Sequence, residues 1–137
     1  MTRLESDCVI CRYGAPFDVI AELPTVWVTA SSRAPLPGYV CVVSKLHVVE
    51  PFELDEPERS AFWAESMSIA AALSEAERPL KMNYEIHGNT IPHLHLHLFP
   101  RYAGDPFKGG PIDGRSTAVV RSADDIARLR AAFANIA

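Results

Sequence analysis

The chain has 137 residues, 48% of them hydrophobic and 22% charged, with a mass of 15.1 kDa and a mean hydropathy of +0.04. That is enough apolar sequence for a single compact domain over 1–137, and too much for an extensively disordered chain. A formal charge of −4 and a pI near 5.7 lack the basic footprint of a nucleic-acid or anionic-membrane binder. No nucleic-acid partner is expected, and any phosphate ligand must be recognised locally.

The N-terminal stretch "MTRLESDCVICRYGAPF" holds no apolar run long enough for a signal peptide. No later run approaches the roughly 20 apolar residues of a membrane span, so a cytoplasmic address without a membrane partner is expected. In a reducing cytosol, Cys8 and Cys11 in C-x-x-C spacing suggest a metal or a redox pair rather than a disulfide framework. Cys41, inside the apolar "YVCVV", reads as a small buried hydrophobe. Three β-like runs follow: "FDVIAEL" and "TVWVTAS", separated by Pro24, and then "YVCVVSK" after the breaker-rich "RAPLPG". From Pro57 to Ala76 the composition turns to Ala, Glu, Leu and Met. Phe62, Ile69 and Leu73 recur near helical spacing, with Trp63, Met67 and Ala70 alongside, which predicts a long amphipathic helix ended by Pro79.

Next, "KMNYEI" alternates Met82, Tyr84 and Ile86 with Asn83, Glu85 and His87, while residues 93 to 98 alternate histidine with leucine. Both read as half-buried strands, and the short "GNTIP" between them favours an antiparallel hairpin. After the loop "YAGDPFKGGPIDGRS", Ser122 is a plausible N-cap for a second helix over "ADDIARLRAAFANI". The "GGP" in that loop lacks the spacing and lysine of a P-loop and is assigned no phosphate role. The elements predict an α+β fold, an antiparallel sheet of about five strands with one face covered by a long helix and a C-terminal helix.

Because strand side chains alternate, His93, His95 and His97 are expected on one face and Leu94, Leu96 and Leu98 in the core. Pairing with the preceding strand then puts Met82, Tyr84 and Ile86 in that core and Asn83, Glu85 and His87 on the histidine side, in a register the sequence leaves open. Three uses of such a face compete. It is a surface strand; or two histidines bind an open catalytic metal, with Glu85 as the nearby carboxylate; or one neutral imidazole is a nucleophile. The last needs an orienting partner for its second nitrogen and donors for the charge it creates.

The motif "HLHLHLF" resembles the signature of the histidine-triad (HIT) family, His-x-His-x-His followed by two apolar residues, with x apolar. The likeness extends to "PLPGYVCVVSKLHVVEPFEL", similar to the family's Gly-led strand and the basic-x-His segment after it, and to "HGNT" in place of its Gly-Gln-Ser/Thr loop. The trailing "PRYAGD" resembles members that hydrolyse dinucleoside polyphosphates, and about residues 8 to 105 are covered.

The resemblance implies that His95 attacks the α-phosphorus of a nucleotide conjugate to form a nucleotidyl-histidine that water cleaves, and that His97 donates to a phosphate or leaving-group oxygen. Asn83, Asn89 and Thr90 match polar positions that bind substrate. Cys8, Cys11, His47 and His93 match a structural zinc site found in some bacterial members, a closed Cys₂His₂ shell with no catalytic metal expected. A homodimer is also implied, with the long helix or a sheet edge at the contact. Ser31 stands where members often carry Asp or Asn for the ribose. His87 has no counterpart and reads as a solvated turn residue. Two other classes stay open, a non-catalytic nucleotide-binding module and a metalloenzyme with a triad-bound metal.

Overall fold

In the computed structural model, residues 7–136 are described. A short helix α1 (Val9–Tyr13) precedes strands β1 (Val19–Glu22), β2 (Val26–Thr29), β3 (Arg33–Ala34) and β4 (Val40–Ser44). A 3-10 turn (Pro51–Glu53), the long helix α2 (Glu58–Glu77), strands β5 (Lys81–Glu85), β6 (His95–Arg101) and β7 (Val119–Val120), and helix α3 (Ala123–Phe133) complete the order. Five strands form one antiparallel sheet in the order β1-β2-β4-β6-β5, and β3 pairs with β7 in a separate two-stranded ribbon. This is the predicted α+β architecture, with α2 and α3 as the long and C-terminal helices.

Alternation explains the layering. Val26, Val28, Val40, Val42, Leu94, Leu96 and Leu98 form a core cluster with Phe62, Ile69 and Leu73 of α2 and Leu129 and Phe133 of α3. Burial of each such side chain is worth about 1.5–3 kcal/mol, so this face supplies most of the drive to fold. The opposite face is partly covered as well, since Cys8 and Ile10 beside α1 pack on Cys41 and Val43 of β4. That second cover is why every residue of β4 is buried, where alternation alone predicts only half.

Helix α2 ends as Arg78 takes a left-handed conformation (φ 49°) just before Pro79. Helix α3 starts on Ser122, whose hydroxyl accepts from the Asp125 amide in a reciprocal capping box. Gly38, which leads into β4, is required by crowding. A Cβ there would lie 2.8 Å from the Pro100 ring of β6.

Two strand expectations need correction. Met82 is buried, but Tyr84 and Ile86 are 47% and 37% exposed. Strand β5 is the outermost of the sheet, and the covering helices do not extend over its far end, so alternation there has no core to match. The triad strand also begins at His95 rather than at residue 93. The Leu94 amide donates to the Val48 carbonyl and the His93 amide to the Ile91 carbonyl, which uses the backbone in a turn instead of the ladder.

The "PRYAGD" segment owes its shape to one ion pair. Arg101 meets Asp105 in a fork, Nε to Oδ2 at 2.8 Å and Nη2 to Oδ1 at 3.1 Å, with side chains 7% and 4% exposed. Asp105 also accepts from the Tyr102 and Phe107 amides, while Arg101 reaches the Asn83 side chain and the Gly110 carbonyl. The bonds from Arg101 hold the Asp105 carboxyl well below the ordinary carboxylate range. Its stabilising contribution is therefore present above the unfolded carboxylate value and lost only as pH falls through the folded one, in strong acid. Arg101→Met leaves a buried carboxylate without its counter-charge, and should cost about 3 kcal/mol in urea unfolding at neutral pH. A loss under about 1 kcal/mol would show that the pair does not organise this loop.

Candidate active site

The triad histidines do three different things. His93, just before β6, is 1% exposed and turns away from solvent into the N-terminal segment. Its Nε2–H donates to the Ser44 carbonyl at 2.6 Å, so its lone pair is on Nδ1. That nitrogen lies 3.4 Å from Cys8 Sγ, 3.7 Å from Cys11 Sγ and 3.2 Å from His47 Nδ1, and Cys11 Sγ is 3.3 Å from His47 Nδ1. All four ligand-type atoms fall within 4.8 Å of one another. Tetrahedral zinc with ordinary Zn–S and Zn–N lengths separates nitrogen pairs by ~3.3 Å and nitrogen–sulfur pairs by ~3.6 Å. The donor set therefore fits a closed Cys₂His₂ metal shell. It is the only cluster with ligand spacing found among the described residues, and it contains one triad histidine rather than two.

His95 is the first residue of β6 and faces Val43 of β4. Its Nδ1 lies 2.6 Å from the His93 carbonyl oxygen, which can only accept. Nδ1 therefore carries the proton, and Nε2 carries the lone pair. The orienting partner that a nucleophilic imidazole requires is thus the backbone of the neighbouring histidine, whose ring belongs to the metal-type cluster.

His97 lies opposite Cys41 on one side and Glu85 on the other. Its ring is 4.8 Å from that of His95, centroid to centroid, and its Nδ1 is 2.7 Å from the Tyr39 hydroxyl. Burial keeps the Tyr39 phenol protonated far above its usual range. Where that O–H is the donor, the His97 proton lies on Nε2. Burial also pushes the His97 imidazole down to about 4, with the nearby rings of His95 and His87 acting in the same direction. His97 is thus a neutral hydrogen-bond donor at physiological pH.

Two cavities meet at His95 and His97. One, of about 240 Å³, is largely apolar, walled by Ile10, Phe17, Thr29, Val43 and Ile91 among others. The second, of about 510 Å³, is more polar; Glu85, His87, Asn89 and Thr90 line one side and the Pro111–Arg115 loop the other. Asn89 and Thr90 thus line the polar cavity together with His95 and His97. Asn83 lines neither cavity, because it lies opposite Phe99 and its Oδ1 accepts from Arg101. Ser31 is also absent from both walls, its hydroxyl donating to the Arg33 carbonyl.

The sequence reading missed Tyr39, a strand-edge aromatic with no distinguishing pattern. His87, read as a solvated turn residue, is exposed beyond the end of β5, and there its Nε2 lies 2.9 Å from Glu85 Oε1 and its ring 5.9 Å from that of His97. Glu85, two residues before it on the histidine side of the strand, was the available signal for that contact.

Known proteins share this fold. The chain is 27% identical to a histidine triad protein from Bradyrhizobium japonicum, covering 84% of this chain and 86% of that one with a TM-score of 0.76. A histidine triad protein from Marinobacter aquaeolei is also 27% identical, with 85% of each chain covered and a TM-score of 0.73. Among curated proteins, the bifunctional bis(5'-adenosyl)-triphosphatase/adenylylsulfatase FHIT of Arabidopsis thaliana is 25% identical over 119 residues, 80% of this chain. The chain spans 66% of that relative's length. The HIT domain family matches residues 13–104, from the end of α1 to just beyond β6. With that match over most of the chain, and with His95 and His97 on β6 and His93 just before it, the chain belongs to the HIT domain family.

Proposed function

We propose that the protein is a nucleotide hydrolase or nucleotidyl transferase that attacks the α-phosphate of a nucleotide conjugate through a covalent nucleotidyl-His95 intermediate. The observation that carries this reading is the 2.6 Å bond from His95 Nδ1 to the His93 carbonyl, which leaves the Nε2 lone pair where the two cavities join. Splitting one displacement into two lowers the barrier of each. In the first, the Nε2 lone pair bonds to phosphorus and the leaving group departs with the bonding electrons. In the second, water displaces the histidine. The apolar cavity suits the flat base of a nucleotide and the polar one its leaving group. In the tautomer with its proton on Nε2, His97 joins Asn89 and Thr90 as donors to the phosphoryl oxygens as negative charge builds. Asn83 acts at one remove in this reading, through Arg101 and the loop that walls the polar cavity. Adenylyl conjugates are the favoured substrates, dinucleoside polyphosphates, phosphoramidates and adenylyl-sulfates, since the Arabidopsis relative is named for cleaving two such compounds.

Zinc held by Cys8, Cys11, His47 and His93 would be structural, because four protein ligands leave no open position. When bound it cross-links the N-terminal segment to the residues before β6 and so steadies the carbonyl that orients His95. Among the described residues the ligand-spaced cluster contains one triad histidine, His93, which favours a structural metal over a triad-bound catalytic one.

The test is chemical trapping. Rapid quenching after mixing with α-labelled diadenosine polyphosphate or adenosine phosphoramidate should leave label on native protein and none on His95→Ala. Label that persists in the variant would reject the assignment, and binding without turnover would favour a non-catalytic nucleotide-binding module.

We also propose a homodimer. Trp63 and Met67 are exposed one turn apart on α2, and β5 leaves a free edge carrying exposed Tyr84. Sedimentation at micromolar concentration should give twice the 15.1 kDa chain mass, and a monomer would reject the contact.

A further inference from the structure

A leaving group that departs from phosphorus as an amine or an alkoxide needs a proton, and the triad has none to give. His93 is turned into the Cys/His cluster, where its Nε2–H is spent on the Ser44 carbonyl. His95 must offer a lone pair to phosphorus while its Nδ1–H stays on the His93 carbonyl. His97 shares a 2.7 Å hydrogen bond with Tyr39 at Nδ1 and its burial keeps the ring neutral, so whichever nitrogen carries its one proton can donate a hydrogen bond but not transfer that proton without forming an anion.

A fourth histidine stands in the same cavity. The β5–β6 register puts Glu85 directly across from His97, and the chain then turns so that His87, two residues on, folds back over Glu85. Glu85 Oε1 lies 2.9 Å from His87 Nε2, the His87 ring is 5.9 Å from that of His97, and His87, His95 and His97 line the same cavity. The His87 side chain is 57% exposed to solvent. The facing loop brings Asp113 and Arg115, which pair with each other at 3.7 Å, so Glu85 is the carboxylate that holds His87. A carboxylate on Nε2–H orients the ring and makes Nδ1 the nitrogen that exchanges its proton, the arrangement of a general acid or base.

We propose that His87, oriented by Glu85, is the proton donor to the leaving group, and that the polar cavity is built for substrates whose leaving group needs one, above all nucleoside phosphoramidates. This rests on the nucleotidyl-transfer reading above. In the first step the His95 Nε2 lone pair forms the N–P bond, the P–N bond of the substrate breaks with its electrons going to the leaving nitrogen, and His87 gives that nitrogen its proton. In the second, neutral His87 takes a proton from the attacking water, the new O–P bond forms, and the electrons of the His95–phosphorus bond return to Nε2. Both histidines are regenerated, and the net reaction is hydrolysis.

The experiment compares single-turnover adenylation by native protein and His87→Ala on two substrates, an alkylamine phosphoramidate of AMP and the p-nitrophenyl ester of AMP, whose phenolate leaves without a proton. The variant should be slowed about 100-fold on the phosphoramidate and less than about 3-fold on the ester. Glu85→Gln should show the same selectivity with a smaller loss. Equal losses on both substrates, or no loss on the phosphoramidate, would overturn the assignment of His87. If native protein forms no adduct with either substrate, the nucleotidyl-transfer reading itself fails, an outcome distinct from the first.

Discussion

His95→Ala is expected to lower turnover of an adenylyl conjugate by at least about 10⁴-fold, the scale seen when a covalent nucleophile is removed and only binding and charge stabilisation remain. AMP affinity should change by less than about 3-fold, because the walls of the apolar cavity and the donors around the phosphate are untouched. The contrast follows from geometry. The His95 ring supplies one lone pair to the reaction, and its other nitrogen is tied to a carbonyl rather than to the ligand. Turnover above a tenth of native would move the nucleophile elsewhere, and an equal loss of turnover and of AMP binding would point to a collapsed site.

Cys8→Ser is expected to remove one equivalent of bound zinc and to lower the melting temperature by roughly 10 °C. A metal held with concentrations about 1,000-fold above its dissociation constant stabilises the folded chain by about 4 kcal/mol, and 1 kcal/mol moves the midpoint of a chain this size by roughly 3 °C. Cys8 is 2% exposed and belongs to the cluster that covers Cys41 and Val43, so loosening it also uncovers β4. Turnover should fall as well, by about 10-fold, because the ring of His93 is held by the cluster while its carbonyl orients His95. Metal analysis separates this from the alternative. An ion that survives Cys8→Ser with native stability would belong to another set of ligands.

The leucines of "HLHLHL" had to enter the core and His95 and His97 had to share a face, because a strand alternates whatever it pairs with. That rule failed at both ends of its range. It put Tyr84 and Ile86 inside, although β5 has no neighbour or helix beyond it to bury them. It also extended the strand to His93, where the backbone has left the ladder, although the motif resemblance had already set His93 with Cys8, Cys11 and His47, whose ligand atoms the structure brings together. Asn89 and Thr90 were readable because a short loop before the strand has few places to go. Asn83 was not, since its partner, Arg101, is 18 residues away and is itself held by Asp105.

Local periodicity and separated motifs were thus sufficient for the α+β class, the family and the candidate nucleophile, because each depends on neighbours within a few residues. The protonation pattern of the site was decided by long-range contacts: Ser44 on His93, Tyr39 on His97, and Glu85 facing His97 across the β5–β6 pairing. Those contacts depend on strand register and burial, which come from the packing of the whole chain, and the separate roles proposed for His95, His97 and His87 rest on them.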